Sequence, residues 1–148
     1  ILKKHVLTRN RTVVWCYAPG ICDGKTLDPA RVKQWTGCDY KTPGPTSVAM
    51  SGWTSVYAYE YKTMTPEVLK AIMRKAGVHL YTDGPEPVYA NQRLLAIHAK
   101  DGGEKLVTLP KDCVAVKDVY AGKTIPVTNR KFTYGFKSPD TALFELLP

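Results

Sequence analysis

The sequence predicts an α+β fold in which the remnant of a doubly wound α/β domain is followed by a small antiparallel β-sandwich. Two observations lead to this prediction. Residues 1–77 contain an uninterrupted apolar strand run and two capped helix patterns, which is typical of the closing part of an α/β domain. From Val78 onward, eight short β-type runs are separated by turn residues, which is typical of a sandwich. We therefore expect two domains, residues 1–77 and residues 78–148, with the boundary after Gly77.

The first half of the chain is expected to open with a helix, a strand and a second helix. Apolar residues at positions 1, 2 and 6 predict the tail of an amphipathic helix within residues 1–9. Residues 12–17 form a continuous apolar run, which favours a strand covered on both faces, as in a parallel sheet. Asp28 as N-cap, Pro29 as the first helical residue and Gly37 as the stop predict the second helix.

Residues 47–62 follow a proline and glycine breaker and have a strand-like pattern. This pattern places four aromatic side chains on one face of an extended chain, namely Trp53, Tyr57, Tyr59 and Tyr61. Such a face can be a platform for sugar rings or the buried face of an ordinary strand, and the second interpretation is preferred. Solvent exposure distinguishes the two interpretations. Because the first remains open, the four residues are candidate ligand-binding residues.

The clearest helix pattern lies just before the predicted domain boundary. Thr65 is placed as N-cap, Pro66 as the first helical residue, Glu67 lies in the first turn and Gly77 is the stop. One apolar stripe runs along this helix and comprises Val68, Leu69, Ile72, Met73 and Ala76.

The second half is expected to be organised around residues 88–110. The apolar runs 94–99 and 106–109 flank Asp101, Gly102 and Gly103, which can supply the positive φ of a tight hairpin. An isolated hairpin is marginally stable in water, so it needs the other β-type runs as partners. The eight predicted runs are residues 78–81, 88–90, 94–99, 105–109, 114–120, 123–127, 131–136 and 142–146.

Charge and hydropathy narrow the classes of partner. The chain has 21 Lys and Arg against 13 Asp and Glu, a formal charge of +8. These basic residues occur in ones and twos, which favours a solvated surface over a nucleic-acid site. No apolar run approaches the ~20 residues of a membrane span, so no membrane partner is expected. Because the chain starts at Ile1 without a visible signal peptide, we expect a piece of a longer protein. Its localisation stays open, and an extracytoplasmic or periplasmic site would fit a parent that carries a signal peptide.

The four cysteines, Cys16, Cys22, Cys38 and Cys113, lack the CxxC spacing of a zinc or redox site. Cys16 and Cys113 lie in apolar runs and are expected to behave as small hydrophobic side chains. Cys22 and Cys38 lie in loops and could pair in an oxidising compartment, which leaves their redox state open.

No catalytic or metal-binding set is evident in the sequence, and no cofactor is expected. Residues 20–24 match the G-x-C-x-G form of a nucleophile elbow, but the loop that follows is long and no His-x-Glu pair lies downstream of Cys22. The histidines, His5, His79 and His98, lack ligand spacing, so structural roles are favoured. Asp112, Asp118 and Asp140 are interpreted as surface or turn carboxylates.

Several short sequence segments, in their order along the chain, resemble the C-terminal portion of large β-galactosidase-like glycoside hydrolases akin to family 42. They are residues 13–15 with 17–20, Thr36-Gly37, residues 76–81 (AGVHLY), residues 88–91 (VYAN) and residues 95–99 (LAIHA). The closing residues 109–110, 116–120 and 141–144 fit the C-terminal module of that family.

The resemblance implies that this chain follows a catalytic (β/α)8 barrel and spans the end of an amidotransferase-like α/β domain and a small C-terminal β domain. The acid and nucleophile carboxylates of such enzymes project from the barrel, so no catalytic residue is carried over. A non-catalytic assembly and stability region is implied, with the rest of the parent polypeptide as partner and the α/β domain as a place for homo-oligomer contacts. The alternative is a carbohydrate-binding β-sandwich module that contacts a glycan through the aromatic stripe.

Overall fold

The computed structural model describes residues 2–7 and 9–148, and the chain divides into two compact units, Ile1–Gly77 (unit 1) and Val78–Pro148 (unit 2). Helices and strands both occur, which confirms the α+β class. The elements of unit 1 are α1 (Leu2–His5), β1 (Arg11–Cys16), α2 (Ala30–Thr36), β2 (Thr46–Met50), β3 (Trp53–Ala58), a 3₁₀ helix (Tyr61–Thr63) and α3 (Pro66–Lys75). The helix tail predicted within residues 1–9 corresponds to α1, and Ile1 lies outside the described residues.

The three strands of unit 1 form one sheet in the order β1-β3-β2. β1 runs parallel to β3, with Val14 opposite Val56, and β2 runs antiparallel to β3. The prediction that β1 is covered on both faces is wrong, because Val14 and Cys16, which share one face of the strand, are exposed. β1 is also an edge strand of the sheet. The apolar run of β1 indicated that this strand has a parallel neighbour, but it did not indicate that the other edge of β1 is unpaired among the described residues.

One face of this sheet is covered by α2. Val32 of α2, Cys38 and Tyr57 form a buried cluster, against which Trp15 and Val48 pack. The helix begins at Ala30, one residue later than predicted. Oδ1 of Asp28 accepts the N–H of Ala30 at 2.9 Å, which is the bond expected of an N-cap residue. It ends as predicted at Gly37, which has φ 76°.

The opposite face of the sheet is covered by α3, whose ends confirm the capping pattern. The hydroxyl of Thr65 accepts the N–H of Val68 at 3.4 Å, and Gly77 follows the helix with φ 73°. Side chains of α3 and of the sheet, including Val68, Ile72 and Val56, line a cavity of about 350 Å³. No residue of α3 is buried, so this face of the sheet is only loosely covered.

The strand-like pattern predicted over residues 47–62 corresponds to two strands and not to one continuous extended segment. A turn at Ser51 and Gly52 divides it into the antiparallel hairpin of β2 and β3, and Gly52 has φ 78°. After Ala58 the chain leaves the sheet and enters the 3₁₀ helix.

Unit 2 consists of strands that form two antiparallel sheets. The strands are β4 (Val88–Ala90), β5 (Leu94–Ala99), β6 (Gly103–Thr108), β7 (Ala115–Asp118), β8 (Thr124–Pro126), β9 (Lys131–Phe136) and β10 (Asp140–Leu147). One sheet has the order β4-β5-β10-β7-β8 and the other pairs β6 with β9. The run predicted at residues 78–81 is not a strand.

The predicted hairpin around Asp101, Gly102 and Gly103 is wrong. β5 pairs with β4 and β10, whereas β6 pairs with β9, so the turn carries the chain from one sheet to the other. Gly103 has φ 109°, which is the backbone freedom that the sequence indicated. Residues from both sheets share one buried core, which includes Leu95, Ile97, Val107, Phe132 and Phe144.

Candidate functional surfaces

The four predicted aromatic residues do not share one exposed face. Trp53 and Tyr57 belong to β3 and are 7% and 0% exposed. Tyr59 lies just beyond the strand and is half-buried, and Tyr61 lies in the 3₁₀ helix and is 66% exposed. All four belong to unit 1, so they form no stripe on the β domain. The chain bends after Ala58, and the period-2 alternation that predicted the stripe stops there.

Three tyrosines form a different cluster where β1 and β3 end. The rings of Tyr17 and Tyr59 are stacked, with centroids 5.3 Å apart and an interplanar angle of 22°. Tyr40 meets Tyr59 edge-on at 5.3 Å, and Nζ of Lys41 lies 5.6 Å from the centroid of Tyr40. Tyr17 is 60% exposed. We call Tyr17, Tyr40 and Tyr59 the tyrosine cluster.

Buried Tyr57 supports this cluster from beneath. Its hydroxyl donates a 2.6 Å hydrogen bond to the carbonyl oxygen of Tyr17. Tyr17 and Lys41 both have left-handed backbones, with φ 66° and 67°. Such a conformation is unfavourable for a bulky residue and persists only when its surroundings hold it. Tyr57, which the sequence predicted as a ligand-binding residue, is therefore buried and anchors the turn at Tyr17.

The hydroxyls of Tyr59 and Tyr57 stay protonated at neutral pH. A hydrogen bond with Tyr40 is the largest cause that raises the pKa of Tyr59 to about 12, and burial and the neighbouring tyrosines add to it. Burial likewise raises the pKa of Tyr57, against the opposing effect of the Lys41 N–H. Each of these hydroxyls can therefore donate as well as accept a hydrogen bond.

Unit 1 also leaves apolar surface open on the face that α3 covers. Leu69 and Met73 belong to the predicted apolar stripe of α3, yet both are exposed. Val14 is exposed on β1, whose outer edge has no strand partner among residues 2–7 and 9–148. An amphipathic helix normally buries such a stripe, so this surface is suited to contact with further protein.

The loop that carries Cys22 is not a nucleophile elbow. The carboxylate of Asp23 accepts the N–H groups of Lys25 and Thr26 at 2.9 and 2.8 Å, and Nη2 of Arg31 lies 2.7 Å from it. These partners, Thr26 foremost, lower the pKa of Asp23. The sulfur of Cys22 accepts the N–H of Gly24 at 3.3 Å, and this contact supplies no base for nucleophilic catalysis.

The cysteines are free thiols, and Cys22 and Cys38 are not joined. Cys22 is exposed, whereas Cys38 is buried in the cluster beneath α2. Cys16 was expected to behave as a small hydrophobic side chain, but it is exposed, at the open edge of the sheet. Cys113 is half-buried.

Two histidines have structural hydrogen bonds. Nε2 of His79 donates to the carbonyl oxygen of Thr108 at 2.8 Å, and Nδ1 of His98 lies 2.8 Å from the hydroxyl of Thr141. His5 lies exposed in α1. Within the part of the chain that the structure describes, no group of three or more His, Cys, Asp or Glu side chains could hold a metal ion.

Unit 2 contains a cleft of about 730 Å³ at one end of its sheets. Tyr81, Asn91, Cys113 and Glu145 are among the residues that line it. Arg93 and Glu145 form an ion pair of 3.1 Å there. The cleft has polar groups for ligand contact, and two of its carboxylates, Glu145 and Asp112, lie 3.1 and 4.0 Å from the guanidinium groups of Arg93 and Arg130.

Among the described residues, no helix combines the length and the apolar character that crossing a bilayer requires. Comparison of the chain with protein-family models, with curated proteins and with solved structures finds no match.

Proposed function

We propose that this chain is a non-catalytic assembly and stability region of a larger carbohydrate-active enzyme, of the β-galactosidase-like glycoside hydrolase type. The observation that carries the proposal is the open apolar surface of unit 1. α3 has no buried residue, and Leu69, Met73 and Val14 are exposed. Burying such side chains is favourable by about 25 cal/mol for each Å² of apolar surface, so a covering partner would stabilise the unit.

The proposed occupant of this surface is the remainder of the parent polypeptide. In this interpretation unit 1 is the end of a doubly wound, amidotransferase-like α/β domain, and further strands of that domain would continue the sheet beyond β1. Three features support the interpretation: the parallel pair of β1 and β3, the antiparallel edge strand β2, and helices on opposite faces of the sheet. Unit 2, with two antiparallel sheets around one core, is interpreted as the small C-terminal β-sandwich.

The reading frame and hydrogen exchange test the proposal together. We expect the gene to encode, ahead of Ile1, a (β/α)8 barrel with two glutamates at strand ends. We expect amides of β1 and α3 to exchange more slowly in that full polypeptide than in the isolated chain, because their surface is then covered. Amides of β5, in the centre of unit 2, serve as the control and should exchange equally in both.

Three outcomes would contradict the proposal. One is equal exchange of β1 and α3 in the two forms. Another is protection of α3 that rises with the concentration of the isolated chain, because the occupant would then be a second copy. The third is hydrolysis of p-nitrophenyl β-D-galactoside by the isolated chain, because the region would then be catalytic.

A further inference from the structure

Tyr17 presents an aromatic ring to solvent in an unusually fixed position. One side of the ring is stacked on Tyr59, and the residue is nevertheless 60% exposed. We infer that the tyrosine cluster is a binding site for a neutral glycan, in which one hexopyranose ring stacks on the free side of Tyr17. Of its three tyrosines the sequence pattern singled out Tyr59 but not Tyr17 or Tyr40, and the site is independent of the proposed docking surface.

The chemistry of the cluster suits a sugar ring. The C–H face of a pyranose is apolar and flat enough to pack on an aromatic face, while its hydroxyls need donors and acceptors at the rim. The hydroxyls of Tyr40 and Tyr59 and the ammonium group of Lys41 can supply these partners.

The position of the cluster is that of a ligand site in an open α/β sheet. β1 and β3 run parallel and end at Cys16 and Ala58, so Tyr17 and Tyr59 follow the carboxyl ends of both strands. Ligands of open α/β sheets bind outside the carboxyl ends of the strands, where loops from neighbouring strands converge.

The cluster is also organised before any ligand arrives. The N–H of Tyr17 donates to the carbonyl oxygen of Ala58 at 3.0 Å, and its carbonyl oxygen accepts the hydroxyl of Tyr57 at 2.6 Å. These bonds hold Tyr17 in its left-handed conformation. A fixed aromatic ring loses little conformational entropy when a ligand binds, which favours affinity.

Affinity electrophoresis of the full chain tests the inference. Native gels would contain galactan, glucomannan or mixed-linkage β-glucan, and mobility would be compared with gels without polysaccharide. Neutral polysaccharides are necessary, because unit 1 has 12 Lys and Arg against 5 Asp and Glu and would be retained by any polyanion. We expect at least one of the three to retard the wild-type chain.

The variants separate stacking from folding. Tyr17→Asn removes the ring but keeps a residue that tolerates the left-handed conformation, and we expect its dissociation constant to rise by roughly tenfold or more. Tyr17→Phe keeps the ring and should bind within about threefold of the wild type. Tyr61→Asn removes an equally exposed tyrosine of unit 1 outside the cluster and should bind as the wild type does. Far-UV circular dichroism would verify that all variants are folded.

The inference is overturned if none of the three polysaccharides retards the wild-type chain, or if Tyr17→Asn is retarded as strongly as the wild type. It is also overturned if Tyr17→Asn changes the mass measured by light scattering without changing sugar binding, because the cluster would then be a protein contact. Loss of binding in Tyr61→Asn as well as Tyr17→Asn would place the sugar elsewhere in unit 1 and would contradict the assigned site.

Discussion

The hydroxyl of Tyr134 donates a 2.6 Å hydrogen bond to Oδ2 of Asp118, and this bond joins the two sheets of unit 2. Asp118 ends β7 in the five-stranded sheet, whereas Tyr134 lies in β9 of the two-stranded sheet. Asp118 is 2% exposed, and its Oδ1 accepts the N–H groups of Tyr120 and Ala121 at 2.9 and 3.0 Å. The sequence indicated a surface or turn carboxylate. Asp118 is a turn carboxylate, but it is buried, and three hydrogen bonds offset the cost of burying its charge.

Removing the hydroxyl of Tyr134 should destabilise unit 2. We expect Tyr134→Phe to lower the free energy of unfolding by about 1.5–3 kcal/mol, because the lost bond is made to a buried charge. Urea denaturation followed by far-UV circular dichroism measures the change. Trp15, Trp35 and Trp53 are the tryptophans of the chain and all lie in unit 1, so their fluorescence reports on unit 1 alone and should not change. Tyr89→Phe, at an exposed tyrosine of unit 2, is the matched control, and an equal effect of both variants would refute the prediction.

The hydrogen-bonded pair of Asp118 and Tyr134 also predicts how the free energy of unfolding of unit 2 depends on pH. Burial alone would raise the pKa of Asp118, but the hydrogen bonds from Ala121, Tyr134 and Tyr120 outweigh it and lower the pKa. Asp118 therefore stabilises unit 2 above the ordinary carboxyl value of ~3.9, and this contribution is lost as the pH falls through the lower, folded value. Tyr134 behaves in the opposite sense, because its bond to Asp118 raises its pKa to about 12. Its contribution is complete below the ordinary value of ~10 and is lost as the pH rises from there to about 12.

Urea midpoints measured across both pH ranges check this dependence. As the pH falls below the carboxyl range or rises above about 10, the free energy of unfolding of Tyr134→Phe should decrease less than that of the wild type. The variant lacks one of the bonds to Asp118, and it also lacks the titrating hydroxyl. Tyr89→Phe should follow the wild type. Parallel curves for Tyr134→Phe and the wild type would show that the pair does not control the pH dependence.

Local patterns predicted the features that local interactions determine. The hydroxyl of Thr65, the fixed φ of Pro66 and the left-handed Gly77 set the ends of α3, and all three are readable from neighbouring residues. The apolar runs at residues 88–90, 94–99 and 131–136 are strands with those bounds.

Strand pairing could not be predicted in the same way. Ile97 pairs with Ala142, and Lys105 pairs with Tyr134, so each partner is distant in the chain. The Asp-Gly-Gly turn permits both a hairpin and a crossing between sheets, and only the competition between distant partners decides between them.

The tyrosine cluster was missed for a related reason. Tyr17 stands at the end of an apolar run and directly before Ala18, Pro19 and Gly20, a signal for the carboxyl end of a strand. Its left-handed backbone depends on Tyr57, which lies 40 residues further along the chain. The Ser51-Gly52 dipeptide was a readable turn signal, and it would have divided the strand-like pattern of residues 47–62 just before Trp53.

Exposure predicts which thiols react. Burial raises the pKa of the Cys38 and Cys113 thiols, with nearby Asp39 and Asp112 adding to it. We expect iodoacetamide at neutral pH to label the exposed Cys16 and Cys22 before Cys38 and Cys113, since the thiolate must be both formed and accessible. Tandem mass spectrometry of the tryptic peptides gives the four rates, because Cys16 and Cys22 share the peptide of residues 12–25 and fragmentation tells them apart. In urea the four rates should converge, and native labelling of Cys38 as fast as Cys22 would contradict its placement in the core.

Two glycines of the loop before α2 offer a matched test of packing in unit 1. Gly20 and Gly24 have φ 72° and 94°, so an alanine at either position is strained by ~1–2 kcal/mol. A Cβ at Gly24 would meet open space, whereas a Cβ at Gly20 would overlap the indole of Trp35. We expect Gly20→Ala to lower the free energy of unfolding by about 1–3 kcal/mol more than Gly24→Ala, because overpacking adds to the backbone strain.

Tryptophan fluorescence during urea denaturation measures both the unfolding transition and the environment of Trp35. Gly20→Ala should also change the native emission, because the indole of Trp35 must move to admit a methyl group. The ring centroids of Trp35 and Trp15 are 6.2 Å apart, so this movement also changes the environment of Trp15. Gly24→Ala should leave the native emission as in the wild type. If the two variants unfold at the same urea concentration with the same native spectrum, the close approach of Gly20 to Trp35 does not exist in solution, and the loop that precedes α2 must follow another path.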